Sequence, residues 1–400
     1  MIYINNLKMK RITDLERKYV LEALDNEFAS SKNGIFTNRM EAKFTEVFEY
    51  EYSISHVNGT ATMHTALHAL GVREGDEVIV PPLTMASTSL CVLQNGSIPV
   101  FADVDLKTFN IDPKSIREKI TPKTKAIITV ALYGLSPEYD EILEICKEHN
   151  IFLIEDNAEC FLGYYKDKLV GTFGEFSSYS FQASKHITCG EGGMLTTNDP
   201  KLADIARRFT SLGYAGVSGK QAKITKNDIQ DPIYNRHISV GYNYRMSEVQ
   251  SAVILGQLER IKELVDIRVK VGEIFDEAIE GYDIVTKQFT PDYCKNSYWG
   301  YSMVLNTDNP EVDWYKFRDL FQKNGGDGYY AAWKLTYQEE LFIEEIQYLE
   351  GITQKYKTGL CPNAEFLQKR IISMKTNYWN LKEAKEQAII LRKTLEEFKI

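Results

Sequence analysis

From residue 53 onward, short strand-like runs, of which 126–132 is nearly continuously apolar, alternate with segments of helical period. Residues 53–57, 77–80, 99–104, 126–132, 151–154, 176–181 and 194–197 read as strands. Residues 61–70, 84–93 and 139–148 read as helices between them. Buried strands alternating with helices imply a sheet covered on both faces by those helices. The pattern predicts an α/β fold with a mainly parallel sheet. In such sheets ligands collect beyond the carboxyl ends of strands. Asn58-Gly59-Thr60, Asp156 and Lys185 all follow strands, so they can converge there.

The flanks differ. Residues 11–28 are helix-like, with Ile12, Leu15, Tyr19 and Ala23 at helical spacing. Asn33-Gly34 breaks the chain before a second helical pattern at 38–48. Residues 214–240, rich in Gly, Lys and Asp, read as a long loop of the kind that is usually functional or mobile. One or two long helices are expected over 247–279, with Val249, Ala252, Val253, Leu255 and Leu258 on an apolar face. They lead into a strand at 298–305, helices at 314–323 and 384–398, and a turn at Gly325-Gly326-Asp327-Gly328. The expected division is a large α/β domain, 1–250, and a smaller α+β domain, 251–400. A chain of 400 residues is long enough for both cores.

The formal net charge of −9 argues against general affinity for nucleic acid or an anionic membrane, and no helix-turn-helix stands out. Six scattered cysteines show no metal-finger spacing. The N-terminal stretch MIYINNLKMKRITDLERKY lacks the apolar core of a signal peptide, and no apolar run reaches ~18 residues. A reducing cytoplasm is the expected location.

Residues 176–193, FSSYSFQASKHITCGEGG, carry the candidate chemistry. A strand ends near Phe181, Lys185 follows in a turn, and Gly190-Glu191-Gly192-Gly193 bends the chain. Most lysines are solvated surface charges. Here Ser180 and Gln182 set polar groups beside Lys185, and closely spaced glycines mark sharp bends or close approach to a ligand. A lysine in a partly dry pocket can serve as an amine nucleophile and proton carrier, the chemistry of a Schiff-base lysine.

The other candidates leave alternatives open. Asn58-Gly59-Thr60-Ala61, between strand and helix, suits a phosphate or is a plain N-cap. Ser180 joins that phosphate or is structural. Asp156 needs a partner, either a protonated pyridine nitrogen or a nearby Arg or backbone amide. His64 and His68 have zinc-compatible spacing, but no third ligand lies nearby and HExxH is absent, so no metal is expected. His186 tunes the pocket or packs. Tyr298-Trp299, Tyr329-Tyr330 and Trp333 stack on a sugar or base, or fill the core.

Together, Asn58-Gly59-Thr60, Asp156, Ser180 and Lys185 resemble the site of fold-type I pyridoxal-phosphate (PLP) transferases. The chain more closely resembles the DegT/DnrJ/EryC1/StrS family of sugar aminotransferases. The resemblance is strong over roughly residues 10–265. It is carried by NGTATMHTALHALGVREGDEVIVPPLT, PVFADVDLKTFNID, ITPKTKAIITVALYG, IEDNAE, SFQASKHITCGEGG and GYNYRMSEVQSA. It implies a fold-type I architecture. Lys185 resembles the lysine that holds the cofactor covalently, and Asp156 the carboxylate facing the pyridine nitrogen. Gly59, Thr60, Ala61 and Ser180 match the phosphate cradle. Asn243 of GYNYR matches an asparagine reaching the cofactor phosphate of the neighbouring subunit, which implies a homodimer with shared sites.

Three positions depart from the family. Met85 stands where an aromatic residue usually covers the cofactor ring, and a thioether covers it less rigidly. Glu159 stands where Gln or His is usual, and Ala131 replaces the His of an HLYG segment. The wording of EDNAE and HITCGEGG is similar to a branch that includes sugar 3-dehydratases, which carry His at the position of Lys185. The resemblance implies amino transfer from L-glutamate to a nucleotide-linked 4-keto- or 3-keto-6-deoxy sugar, for lipopolysaccharide or another glycosylated product. GGDGYYAAWKLTY replaces the family's usual substrate segment, so a keto sugar acid without a nucleotide stays open. A sugar dehydratase and a non-enzymatic sugar-sensing regulator are the remaining alternatives.

Overall fold

The structure, a computed structural model, describes residues 9–28, 34–220, 230–307, 313–328, 330–352 and 354–398. Asn33, Tyr329, the first eight residues of the N-terminal stretch, and 221–229 of the expected long loop lie outside the described residues.

Two helices precede the sheet. α1 (Asp14–Asp25) begins at a capping box, where the Leu15 amide donates to Thr13 Oγ1 at 3.3 Å and the Thr13 amide donates to Glu16 at 2.7 Å. α2 (Ile35–Phe48) buries Phe36, Met40, Phe44 and Phe48 on one face. Then β1 (Tyr52–His56), α3 (Gly59–Ala69), β2 (Glu77–Val80), α4 (Ser87–Gln94), β3 (Ile98–Phe101), α5 (Pro113–Lys119), β4 (Thr124–Val130), α6 (Tyr139–His149) and β5 (Phe152–Asp156) alternate as expected. A short hairpin, β6 (Tyr164–Tyr165) and β7 (Lys168–Leu169), precedes β8 (Phe176–Ser180), β9 (Gly193–Thr197) and α7 (Pro200–Thr210).

Seven strands make one sheet in the order β1-β9-β8-β5-β4-β2-β3. Neighbours from β8 to β3 pair in parallel, while β9 runs antiparallel to both β8 and β1. The segment between β8 and β9 holds turns and no crossover helix, so β9 returns directly beside β8. The other strands point one way, and the loops after them open on one edge. The fold is the expected α/β transferase architecture with a mainly parallel sheet.

The long helical stretch is two helices, α8 (Glu248–Leu258) and α9 (Ile261–Ile279). α8 packs on α1 and α2. Beyond α9 come β10 (Val285–Lys287), β11 (Cys294–Lys295), β12 (Gly300–Leu305), α10 (Trp314–Lys323), β13 (Tyr330–Ala331), α11 (Pro362–Gln368), β14 (Ile371–Lys375) and α12 (Leu381–Glu397). β11 joins the small hairpin. The rest form an antiparallel sheet in the order β10-β12-β14-β13. Val271, Phe275, Phe317, Phe321, Met303 and Leu391 fill its core. We propose that the domain boundary falls near the α8–α9 junction, since α9 packs on α12. Among the described residues no helix is long and apolar enough to cross a membrane.

Candidate active site

The loops at the carboxyl ends of β1, β2, β5 and β8 enclose a cavity of about 510 Å³. Asn58, Gly59 and Thr60 line it after β1, and Thr84 and Met85 after β2. Val130 ends β4 there, Asp156 ends β5, and Ala158 and Glu159 follow. Ser180 ends β8, and Gln182, Ser184 and Lys185 follow. Trp299 and Trp333 close the far wall.

The turn after β8 is built by its own side chains. Gln182 Oε1 accepts from the Ser184 amide at 2.7 Å and from its hydroxyl at 2.8 Å, and the Lys185 amide donates to the Gln182 carbonyl at 3.0 Å. Further on, the Gln257 side chain grips both the amide and the carbonyl of Thr188, at 2.8 and 2.7 Å. This backbone presents Lys185 inward. Its Nζ pairs with Glu159 Oε1 at 3.1 Å and lies 4.7 Å from the centre of the Trp299 ring. Glu159 is buried, and its other oxygen accepts from the Tyr133 amide at 3.0 Å. Tyr133 has φ of 60°, a left-handed backbone that is strained for a bulky residue and is found mostly at functional sites. That conformation aims its N–H at the carboxylate that holds the lysine. At Gly134, φ is 107° and a Cβ would sit 2.5 Å from the Tyr298 amide nitrogen, so only glycine fits.

Adjacent carboxylates on β5 point to opposite faces of the sheet. Glu155 accepts from the amides of Gly171, Phe173 and Gly174 at 2.8, 2.7 and 2.7 Å, and is structural. Asp156 faces the cavity, taking Thr88 Oγ1 and the Ala158 amide, each at 3.1 Å. Burial pushes its carboxyl up to about 6, against the Ala158 amide, the Lys185 ammonium and the Thr88 hydroxyl, which favour the charged form. A cationic N–H donor in the cavity would complete its partners.

The start of α3 is capped by its own sequence. Asn58 is its N-cap, and Asn58 Oδ1 takes the Ala61 amide at 2.8 Å. That removes Ala61 from the donors facing the cavity and leaves the Gly59 and Thr60 amides at the helix terminus. A Cβ on Gly59 would lie 3.0 Å from Ser180 Cβ, so the glycine lets the terminus close on the serine. Amides, hydroxyl and the positive end of a helix together suit a phosphate. An amine, a carboxylate needing a cation, and an anion cradle in one cavity fit PLP.

The remaining candidates separate. Met85 lines the cavity at 54% exposure, and Ala131 is buried. Trp299, Trp333 and Tyr133 lie mutually about 6 Å apart, and both tryptophans reach the cavity, so part of GGDGYYAAWKLTY does reach the site. Tyr298 packs on the second core instead. His186 is buried, with Nε2 against the Ser297 carbonyl at 2.9 Å, and burial holds its pKa well below the ordinary value. His64 and His68 pack on Phe209. Among the described residues no group of three or more His, Cys, Asp or Glu could hold a metal. Asn243 is exposed and does not line this chain's own cavity. Thr88, Arg11 and Arg268 also support the site from outside the quoted motifs, and Tyr133 does so from within ITPKTKAIITVALYG, whose wording does not show its role.

The DegT/DnrJ/EryC1/StrS aminotransferase family model matches residues 10–391. A GDP-perosamine synthase of Escherichia coli O157:H7 is 38% identical over 298 residues, covering 74% of this chain and 76% of its own. The X-ray structure of an aminotransferase from Psychrobacter cryohalolentis superposes with a TM-score of 0.86 at 26% identity, over 97% of this chain and 98% of that one. An E. coli GDP-4-keto-6-deoxy-D-mannose-3-dehydratase with bound hydrated PLP superposes with a TM-score of 0.83 at 25% identity, over 98% and 99%.

Proposed function

The chain belongs to the DegT/DnrJ/EryC1/StrS aminotransferase family, and from that premise we propose that it moves an amino group from L-glutamate to a nucleotide-linked keto sugar. A GDP-linked 4-keto-6-deoxy sugar is the first candidate, because the relatives include a GDP-perosamine synthase. The observation that carries the reading is that Lys185, Asp156, Ser180 and the Gly59–Thr60 terminus, from separate strand ends, line one cavity.

When bound, PLP supplies the electron sink that makes a proton on the nitrogen-bearing carbon removable. Lys185 Nζ anchors the cofactor, then takes that proton and returns it, as base and then acid. While it is free, Glu159 holds the ammonium and the Trp299 face covers it. Asp156 would hold the protonated pyridine nitrogen, with Thr88 and Ala158 fixing the carboxylate's orientation. The Gly59 and Thr60 amides and Ser180 Oγ take the phosphate. Met85, Trp299 and Trp333 line the same cavity and would shield the ring from water.

A second copy of the chain supplies Asn243. The neighbourhood of this residue supports that reading: Ile233, Ile238, Val240 and Tyr242 are exposed at 89%, 49%, 74% and 43%. An amino sugar on a nucleotide suits lipopolysaccharide or other surface-polysaccharide assembly, and the free cysteines suit the cytoplasm.

The test is to reconstitute with PLP, reduce with borohydride and map the modified peptide. The cofactor should be fixed to Lys185. Lys185→Ala should retain none and lose roughly 10²–10⁴-fold in transamination. Normal turnover by that variant would sink the assignment.

A further inference from the structure

Two arginines hold the Lys185 turn from behind the cavity. Arg268, on α9, is buried at 1% exposure, and Arg11 precedes α1. Arg268 Nη2 donates to the carbonyls of Ser184 and Lys185, both at 3.1 Å. Its Nη1 donates to the Trp299 carbonyl at 2.9 Å and to Thr376 Oγ1 at 3.2 Å. Arg11 donates to the carbonyls of Ala183 at 2.6 Å and Lys185 at 2.5 Å. The Trp299 indole N–H adds a bond to the Ser184 carbonyl at 3.1 Å. The carbonyls of Ala183, Ser184 and Lys185 are thus all held by these donors, and that of Lys185 by both guanidinium groups.

Among the described residues neither guanidinium forms an ion pair with a carboxylate. For Arg268 the Glu159 carboxylate acts only from a distance, burial still disfavours the charge, and a hydrophobic side chain of the same volume would pack there at less cost. Packing alone therefore gives no reason for Arg268. Its partners do: Trp299 directly precedes β12 and Thr376 directly follows β14, so one side chain ties the lysine's main chain to the second sheet.

We propose that Arg268 and Arg11 form a carbonyl clamp that positions Lys185, with Arg268 passing the placement of the second sheet to the lysine. The proposal rests on Lys185 being the cofactor-bearing residue. With the main chain clamped on both sides, Nζ is left only side-chain rotation between the cofactor and Glu159. Both arginines are positioning residues, since neither lines the cavity.

The experiment uses Arg268→Lys, which keeps the charge and loses the fork, and Arg268→Met, which keeps the bulk. Circular dichroism and melting establish that each is folded. Borohydride trapping and peptide mapping then measure the fraction of PLP fixed to Lys185, and fluorescence titration measures PLP affinity. In the cofactor-free variants, hydrogen exchange over residues 183–189 should speed up. Both variants should trap a smaller fraction of the bound PLP at Lys185, lose PLP affinity only by the factor that this lost covalent fraction accounts for, and lose about 100-fold in kcat with KM for glutamate unchanged. A purely structural role would lower melting temperature, affinity and kcat together, and would leave the trapped fraction of bound PLP as in wild type. Folded variants that trap and turn over like wild type overturn the clamp. If Arg268 variants do not fold, Arg11→Met decides, because this half-buried residue shares the Lys185 carbonyl. A reduced trapped fraction supports the clamp and an unchanged one overturns it. Wild type that fixes no PLP at Lys185 overturns the Lys185 reading and the clamp with it, whereas normal wild-type trapping with unaltered variants overturns the clamp alone.

Discussion

Burial raises both neighbours, Glu155 to about 7 and Asp156 to about 6, but their partners differ, and the role of Asp156 is testable. Glu155 is satisfied by three backbone amides, while Asp156 faces a cavity with one hydroxyl and one amide. Its folded pKa of about 6 exceeds the ordinary 3.8, so the folded state binds a proton more tightly than the unfolded one. Its contribution to stability is then complete below about pH 4 and is lost as pH rises through about 6. An amide at this position carries no charge at any of these pH values. Asp156→Asn should therefore stabilise the cofactor-free fold relative to wild type by an amount that grows between pH 4 and 7, to ~1–3 kcal/mol. The same variant should lose transamination. Melting curves of cofactor-free protein across that range check the sign, and a difference that is flat with pH would contradict it. Lys185 and Asp156 could be placed on the ligand edge from the sequence because they lie at or just past strand ends, while their roles, and that of Ser180, came only from the resemblance. Arg268 could not be placed. A lone arginine in the helical period of 261–279 looks like surface, and its partners are carbonyl groups, which every residue carries. Thr88 and Tyr133 were hidden for the same reason: tertiary placement and a left-handed backbone make their roles.

The elements most legible were those with an unbroken pattern. The strand at 77–80 and the helix at 314–323 have the bounds read from periodicity. α7 was missed, although Asp199-Pro200 is a cap followed by proline at the first helical turn. Arg207 on its inner face obscures the pattern, being buried through paired bonds to Glu41 at 2.8 and 2.6 Å. The reversal of β9 was also invisible, because strand direction depends on what the connection contains. β9 nevertheless packs on the start of α3, the proposed phosphate cradle. A Cβ on Gly193 would lie 2.6 Å from the Asn58 carbonyl oxygen and 3.0 Å from the Gly59 amide nitrogen. Gly193→Ala must push the start of α3 away from Ser180. The expected cost is about 1–3 kcal/mol in overpacking, much of it felt as weaker PLP binding. Fluorescence titration should show the dissociation constant rising by roughly one order of magnitude or more. Unchanged affinity would mean that the cradle lies elsewhere.

At the scale of the whole molecule, the proposed sharing of sites between two copies turns on Asn243. Asn243 is exposed beside apolar residues that a monomer would leave in water. A bond from its amide to phosphate is worth roughly 1.5–3 kcal/mol. Its loss should weaken PLP binding by about one to two orders of magnitude. Mixing inactive Lys185→Ala with an impaired Asn243→Asp should raise activity above either parent, because one site of a mixed dimer is intact. Subunits that exchange without any rise, or an active monomer, would contradict shared sites. The overall architecture could be read from alternation alone. The shape of the substrate wall could not, since Trp299 and Trp333 come together only when the second sheet meets the first.

The central claim is that Lys185 makes this protein move nitrogen and not eliminate it. The direct measurement is incubation of PLP-loaded protein with [¹⁵N]-L-glutamate and the GDP-linked 4-keto-6-deoxy sugar, followed by mass spectrometry. The account predicts a sugar product that carries the label and forms in equal amount with 2-oxoglutarate. A deoxy sugar without nitrogen, formed with catalytic release of labelled ammonia, would contradict it.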